Sequence, residues 1–276
     1  MGWKKIKAPD YSTAEAFLLE REPLCVGACS KFLARSFNNA WMFKDDQGAI
    51  AALLLQNSLS LYPIFSTNSN VPLLKILGRL LKKVPIYSLQ GLKEDAEIFE
   101  RGMEIQGFRS VDRIDYDLMT LDGEPDPGSF RRGPSDLILR KPQPEDTDDL
   151  FLLHSAYEQE EVIPRGGVYN PASCRKNLEK LLSSQQFLIA CLGNEIVGKI
   201  NTNAVSYTRY QIGGVYVRPK YRGLGIAIRM SAEFLRQLRA EGRGLTLFVK
   251  KRNAPARKVY RRLGFVIRED YRICYF

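Results

Sequence analysis

The stretch Val215–Ala227, V-Y-V-R-P-K-Y-R-G-L-G-I-A, decides how the rest of the chain is interpreted. Its first three residues are β-branched or aromatic, which is typical of the end of a β-strand. Pro219 has no N–H group and therefore predicts the end of that strand. Gly223 and Gly225 follow, and the apolar residues after them recur at helical spacing. The sequence thus predicts a strand that turns through a basic, glycine-containing loop into a helix N-terminus, where unpaired N–H groups and Arg222 could bind a phosphate.

The chain downstream decides between a phosphate site and a plain tight turn, since a tight turn fits the glycine pair alone equally well. Leu245–Val249 predicts a second short apolar strand. Asn253 follows it as a helix cap, and the predicted helix ends at Gly264, a typical C-terminal glycine. Phe265 opens a final strand. The order after the opening stretch is therefore helix, strand, helix, strand.

This set of elements resembles the acetyl-CoA-binding half of the GNAT superfamily of acyl-CoA N-acyltransferases. The pyrophosphate-loop pattern of that family, R-x-x-G-x-G/A, is matched by Arg222, Gly225 and Ala227. A second family pattern, N-x-x-A-x-x-x-Y-x-x-x-G-F, is matched by Asn253, Ala256, Tyr260, Gly264 and Phe265. The resemblance covers the chain from about Leu137 to its end and is sharpest from Ile212 onward.

The resemblance implies acetyl-CoA as co-substrate, with no metal. It also implies transfer of the acyl group from the thioester directly to a primary amine, carried by a small-molecule or peptide acceptor. The residues expected to bind coenzyme A lie at the strand end, in the loop and on the last helix: Val215, Tyr216, Val217, Arg222, Gly223, Leu224, Gly225, Ile226, Ala227, Asn253, Ala256 and Tyr260.

The implied reaction needs a donor for the thioester oxygen and a proton for the departing thiolate. A backbone N–H of Val215–Val217, left unpaired at a bulge, would serve as that donor. Gly213-Gly214 just before it either opens a slot for the pantetheine arm or forms a simple edge bulge. Tyr260 matches the proton donor of the family, with core packing as the alternative.

The attacking amine must be neutral, so a base, or a water chain leading to one, is expected. Glu160 and Glu161 are the catalytic candidates on the acceptor side, with exposed helix-end glutamates as the alternative reading. Tyr210 and His154, the single histidine, are the other candidates. The sequence does not choose among them.

Composition limits the class of protein. The 276 residues are 45% hydrophobic and 26% charged, which is typical of a water-soluble globular chain. No apolar run approaches the ~20 residues of a membrane span. Five scattered cysteines indicate reduced thiols and a cytoplasmic protein. The net charge of +10 suits a polyanion, and coenzyme A is one; nucleic-acid binding ranks last because no nucleic-acid motif is present.

The predicted fold is α/β with a mixed α+β sheet, divided into a diverged, non-catalytic GNAT-like domain at 1–121, a linker at 122–134 and a GNAT acetyltransferase domain at 135–276. Two landmarks recur at nearly the same offset in the two halves: Gly107-Phe108 with Gly264-Phe265, and Pro63 with Pro219. An unrelated α/β domain in the first half is the alternative. The first half has no glycine or arginine directly after Pro63. Met103 stands where the second half has Tyr260.

Two function classes follow from these patterns. The leading one is an acetyl-CoA-dependent N-acetyltransferase, and the alternative is a non-catalytic acyl-CoA-binding sensor or interaction module. No motif specifies the acceptor amine, the acyl chain or the oligomeric state.

Overall fold

The computed structural model describes residues 2–66, 71–80 and 85–276. It divides into two compact units, Met1–Leu118 together with Arg268–Phe276, and Met119–Ile267. The last residues of the chain thus pack with the N-terminal part. The domain boundaries 1–121, 122–134 and 135–276 follow the order of the motifs and stay a prediction.

The strands alternate with helices along the chain. In chain order the strands are β1 (Lys4–Lys5), β2 (Asn39–Lys44), β3 (Ile50–Asn57), β4 (Ser60–Phe65), β5 (Ser88–Leu92), β6 (Asp112–Leu121), β7 (Ile138–Arg140), β8 (Phe187–Leu192), β9 (Glu195–Val205), β10 (Arg209–Val217), β11 (Gly244–Lys250) and β12 (Val266–Tyr275). The helices are α1 (Tyr11–Glu20), α2 (Glu22–Leu33), α3 (Leu74–Leu80), α4 (Lys93–Ile105), α5 (Thr147–Tyr157), α6 (Pro171–Ser184), α7 (Ile226–Arg239) and α8 (Ala254–Arg262).

In the first unit the strand order is β1-β2-β3-β4-β5-β12-β6. β2, β3 and β4 form an antiparallel meander, and β4 then runs parallel to β5 after the crossover through α3. β12 pairs antiparallel with β5, with Tyr271 opposite Leu92 and Tyr275 opposite Ser88. Phe99 and Met103 of α4 lie in the apolar core of this unit.

In the second unit the order is β11-β10-β9-β8-β7. β7 to β10 are antiparallel neighbours, and α7 leads to β11, which runs parallel to β10. The predicted mixed sheet with α/β connections is confirmed. β10 is an internal strand, which excludes the edge-bulge reading of Gly213-Gly214.

Apolar residues cover both faces of the second unit's sheet. One core joins α7 to the sheet through Met230, Phe234 and Leu238. The other joins α5 and α6 through Leu150, Leu153 and Leu178. β10 contributes to both cores, with Ile212 and Val217 in the α7 core and Tyr216 in the core of α5 and α6.

Residues 122–134, assigned to a linker by composition, pack within the second unit. They contain a short 3₁₀ helix, Pro127–Arg131, whose Phe130 lies against the core of α7. Gly133 approaches Gly225 so closely that a Cβ on Gly225 would lie 2.9 Å from the Gly133 nitrogen. This segment therefore supports the predicted phosphate loop. Within the described residues no helix is long and apolar enough to cross a membrane.

Candidate active site

β10 and β11 part at the point where the sequence predicts a slot. Their parallel pairing runs from Arg209–Gly244 to Ile212–Leu247 and goes no further among the described residues, although β10 continues to Val217. On its other side β10 carries one extra residue between Gly213 and Tyr216, which face Asn201 and Lys199 of β9. The predicted bulge and the predicted parting of the strands are both present.

Packing explains the glycine pair at this bulge. Gly214 has a left-handed φ of +62°, which disfavours a side chain. A Cβ on Gly213 would overlap the amide of Asn203, and one on Gly214 would overlap the amide of Asn201. The two glycines therefore make room for two asparagine side chains from β9, and they let the strand bend.

The loop between β10 and α7 presents main-chain donors. Gly223 and Gly225 both have φ of +82°, and Gly225 is the residue that caps α7. Within the described part of the chain, no acceptor pairs with the N–H groups of residues 223–228. Several aligned, unpaired N–H groups at the start of a helix attract an anion. The predicted donor array is therefore available.

Arg222 lies at the same strand end but has partners of its own. Its Nη2 is 2.8 Å from Glu160 Oε2, and its Nε donates to the Val217 carbonyl at 3.0 Å. The guanidinium also lies 5.2 Å from the centre of the Tyr216 ring. The predicted phosphate ligand is therefore held beside the loop by an acidic residue.

Glu160 belongs to a π-helical turn, Glu158–Val162, that continues α5. Such turns often mark functional sites because they redirect side chains. Glu160 Oε2 also accepts a 2.9 Å hydrogen bond from the Tyr216 hydroxyl. The hydrogen bond from Arg222 lowers the pKa of Glu160. This carboxylate is thus ionised, and it links α5, β10 and the loop.

Glu161, in the same turn, faces the start of α8. Its carboxylate lies 3.1 Å from Lys250 Nζ and accepts from Asn253 Nδ2 at 3.2 Å. Asn253 also caps α8, because its Oδ1 accepts the Ala256 N–H at 3.1 Å. The turn therefore places Glu160 beside the phosphate loop and Glu161 beside the last helix.

Tyr260 lies on the inner face of α8, only 8% exposed. Its ring meets Phe265 edge to face at 6.0 Å. Its hydroxyl forms no hydrogen bond with the described residues, so it can donate to a ligand. Burial, aided by Tyr157 and Glu161, raises the pKa of Tyr260, which keeps the phenol protonated.

The remaining residues expected to bind coenzyme A lie around these groups. Leu224 is half exposed at the loop tip, whereas Ile226 is buried in the core of α7. The rest of this set lies on β10 or at the starts of α7 and α8: Val215, Tyr216, Val217, Ala227 and Ala256.

The other two base candidates have different surroundings. Tyr210 lies in the α7 core, and its hydroxyl donates to Glu241. His154 is buried on the α5 side, where burial, with Lys199 second, lowers the pKa of His154 to about 3. A histidine with so low a pKa stays neutral at physiological pH.

Sequence reasoning missed Lys199. This lysine interrupts an apolar stretch of β9, Ile196–Ile200, and is fully buried. A charged residue within an apolar strand was the available signal, because such a residue is rarely buried without a partner. Its Nζ donates to the Gly214 carbonyl at 2.9 Å, directly at the bulge.

The sequence of residues 127–265, half of the chain, matches the family model for the acetyltransferase (GNAT) family. With the parted strands, the loop and the last helix in place, the chain belongs to the GNAT acetyltransferase family. No curated protein sequence matches it significantly.

Solved structures give the same fold. The chain is similar to a GCN5-related N-acetyltransferase from Sphaerobacter thermophilus, with 18% identity, 99% of this chain and 94% of that chain covered, and a TM-score of 0.61. It is also similar to a tandem GNAT protein from the clavulanic acid biosynthesis pathway, with 12% identity, coverage of 99% and 97%, and a TM-score of 0.63. An acetyltransferase of the GNAT family from Colwellia psychrerythraea has 10% identity, full coverage of both chains and a TM-score of 0.59.

Proposed function

We propose that this protein is an acetyl-CoA-dependent N-acetyltransferase that moves an acetyl group to a primary amine of a small-molecule or peptide acceptor. The single active site lies in the second unit. The observation that carries the proposal is the pair of features at the end of β10: N–H groups of residues 223–228 without acceptors, directly beside strands that part after Ile212 and Leu247.

The residues present fit coenzyme A at this site. The loop amides and the start of α7 would bind its diphosphate, and the parted strands would accept the pantetheine arm. Arg222 would add a positive charge beside the diphosphate while it keeps its ion pair with Glu160. Acetyl-CoA, when bound, supplies an activated thioester.

Three residues would act on the reaction. The Val215 amide, at the bulge, would donate to the oxygen on which negative charge develops. Tyr260 would give its hydroxyl proton to the sulfur as the bond to carbon breaks. Glu160 and Glu161 would attract the acceptor's ammonium group and order the water through which the amine loses a proton.

An acyl-CoA-binding module without turnover is the second candidate. The observation that favours it is the ion pair of Glu160 with Arg222, which lowers the pKa of Glu160 and leaves it a weak base. We also propose a cytoplasmic location, supported by the free thiols of all five cysteines.

Calorimetry with acetyl-CoA, followed by titration of free thiol across a panel of amines, tests both candidates. The panel should contain polyamines, amino acids, aminoglycosides and peptides with free N-termini. We expect binding with a dissociation constant in the micromolar range and amine-dependent release of thiol. Binding without release on every amine would favour the sensor, and the absence of binding would refute both.

A further inference from the structure

Lys199 has no route to solvent and makes one strong contact. Its side chain is fully buried, and Nζ lies 2.9 Å from the Gly214 carbonyl oxygen and 3.5 Å from Asn201 Oδ1. The ammonium also lies 4.2 Å from the centre of the Tyr157 ring. A buried lysine is costly unless its charge is used or compensated, so this contact calls for an explanation.

The groups around Lys199 come from three elements. From α5 and the π-helical turn come His154, Tyr157 and Glu158, and from α6 comes Cys174. Ligand-type atoms of His154, Glu158 and Cys174 lie within 4.8 Å of one another. Because the lysine ammonium already supplies positive charge to this cluster, we assign it to no metal.

Lys199 has a pKa close to neutral pH. Burial lowers the pKa of Lys199 to about 7, with Glu158 and Cys174 acting in the opposite direction. Burial raises the pKa of Cys174 to about 11, while the pKa of His154 is lowered to about 3. Burial likewise raises the pKa of Tyr157 to about 12.

The geometry of the peptide bond connects Lys199 to the reaction. The peptide that joins Gly214 to Val215 is planar and trans, so its N–H points away from its carbonyl. A cation that holds the Gly214 carbonyl therefore fixes the direction of the Val215 N–H. It also polarises the peptide, which makes that N–H a stronger donor.

We propose that Lys199 is a positioning residue that orients and polarises the Gly214–Val215 peptide through its ammonium group, so that protonation of this lysine regulates acetyl transfer. The effect on acetyl transfer rests on the proposed function. The contact between Lys199 and the Gly214–Val215 peptide does not depend on turnover. As pH rises through the pKa of Lys199, the ammonium is lost and the Val215 N–H becomes a weaker donor. Transfer at saturating acceptor should then decline.

The direct test is the pH titration of the Val215 amide by ¹⁵N–¹H NMR on the full chain, with no ligand present. We expect its shift to titrate with a midpoint near pH 7 in the wild type. In Lys199→Met, which keeps the apolar volume and removes the donor, the shift should be flat. Lys180→Met, an exposed lysine on α6, is the charge-matched control and should keep the midpoint.

Turnover supplies the second readout. We expect kcat of Lys199→Met to fall by about 30-fold, with acetyl-CoA affinity within about 3-fold of the wild type. Lys199→Gln, a donor at every pH, should recover part of kcat and lack the decline above pH 7. If the Val215 shift does not titrate in a folded wild type, or titrates unchanged in Lys199→Met, the inference is wrong. If the shift titrates as expected but no amine is acetylated, the coupling is supported and only the proposed function fails.

Discussion

The two units end corresponding helices in the same way. Two residues after the last residue of each helix stands a glycine with left-handed φ, Gly107 after α4 and Gly264 after α8. In the first unit the N–H of Phe108 donates to the carbonyl of Met103, and in the second the N–H of Phe265 donates to that of Tyr260. This capping pattern satisfies the last carbonyls of each helix. The units therefore share a scaffold, including the turn that carries Met103 in one and Tyr260 in the other.

The same units differ at the ends of β4 and β10. In the first unit the N–H of Phe65 donates at 3.2 Å to the buried carboxylate of Asp95, and the N–H of Ser66 donates to Ala51. Tyr62 and Gln90 join their side chains across β4 and β5 beyond the last paired residues. In the second unit the loop amides have no such partners. In the first unit, backbone N–H groups at the strand end already have acceptors within the protein, so they cannot bind an anion. In the second unit, the unpaired loop N–H groups are available to bind one. Residues 67–70, which follow Ser66, lie outside the described residues.

The largest effect on acetyl-CoA affinity should come from placing a carboxylate beside the loop amides of the second unit, as Asp95 lies beside the Phe65 N–H in the first. Leu224→Glu places a carboxylate at the loop tip, where the native side chain is half exposed. Its charge would compete with a diphosphate for the same amides, and we expect acetyl-CoA affinity to fall by about 100-fold, or ~2.7 kcal/mol. Calorimetry at low ionic strength measures the loss.

Leu224→Gln is the matched control for this change. It has nearly the same size and no charge, and its affinity should stay within about 3-fold of the wild type. Equal losses in the two variants would show that the shape of the loop, not its free donors, decides binding.

The next largest effect, on turnover, should come from the last turn of α8, which carries Tyr260 where α4 carries Met103. Tyr260→Phe removes the hydroxyl group from a buried ring. Because this hydroxyl has no hydrogen-bond partner among the described residues, the change breaks no bond within the protein. We expect kcat to fall by about 100-fold with acetyl-CoA affinity unchanged, because proton donation to sulfur is needed only during the reaction. Met103→Leu, at the same turn of α4, should alter neither quantity. Full activity in Tyr260→Phe would show that Tyr260 only packs in the core and does not donate a proton.

A smaller effect is expected from Arg222→Ala. Its guanidinium is partly exposed and shared with Glu160, so its contribution to phosphate binding is screened. We expect acetyl-CoA affinity to fall by about 5-fold to 10-fold at low salt and by less at high salt. Calorimetry at two ionic strengths separates these cases, and a loss that does not depend on salt would assign Arg222 a structural role only.

Local patterns allowed much of the second unit to be predicted. The loop glycines, the cap at Asn253 and the capping glycine at 264 each depend on a few adjacent residues, and the structure places them as expected. Pro63 and Pro219 do not occupy matching positions in the two units. Pro63 lies inside β4, whereas Pro219 follows β10. The repeat is carried instead by the helix ends.

Long-range contacts could not be predicted. The pairing of Glu160 with Arg222 joins residues far apart in the sequence, as does the contact of Lys199 with Gly214. Neither pair has a local signature, since each depends on how α5 and β9 pack against β10. The same holds for Asp95 and Phe65. Sequence patterns thus located the donors of the site and named Arg222 and Glu160, but they did not show how these charged groups pair, and they missed Lys199.

The last effect concerns stability, not coenzyme binding, and lies in the first unit. Burial raises the pKa of Asp95 to about 7, although the Phe65 N–H opposes this. A carboxyl group whose pKa is higher in the folded than in the unfolded state contributes stability that is complete below about pH 4 and declines until about pH 7. Asp95→Asn keeps an acceptor for the Phe65 N–H and cannot titrate. We therefore expect its free energy of unfolding, relative to wild type, to rise by about 3 kcal/mol from pH 4.5 to pH 8. Urea unfolding at several pH values measures this difference, and acetyl-CoA affinity should not change. A pH-independent difference would show that Asp95 is not held protonated, whereas altered affinity would show that the first unit takes part in binding.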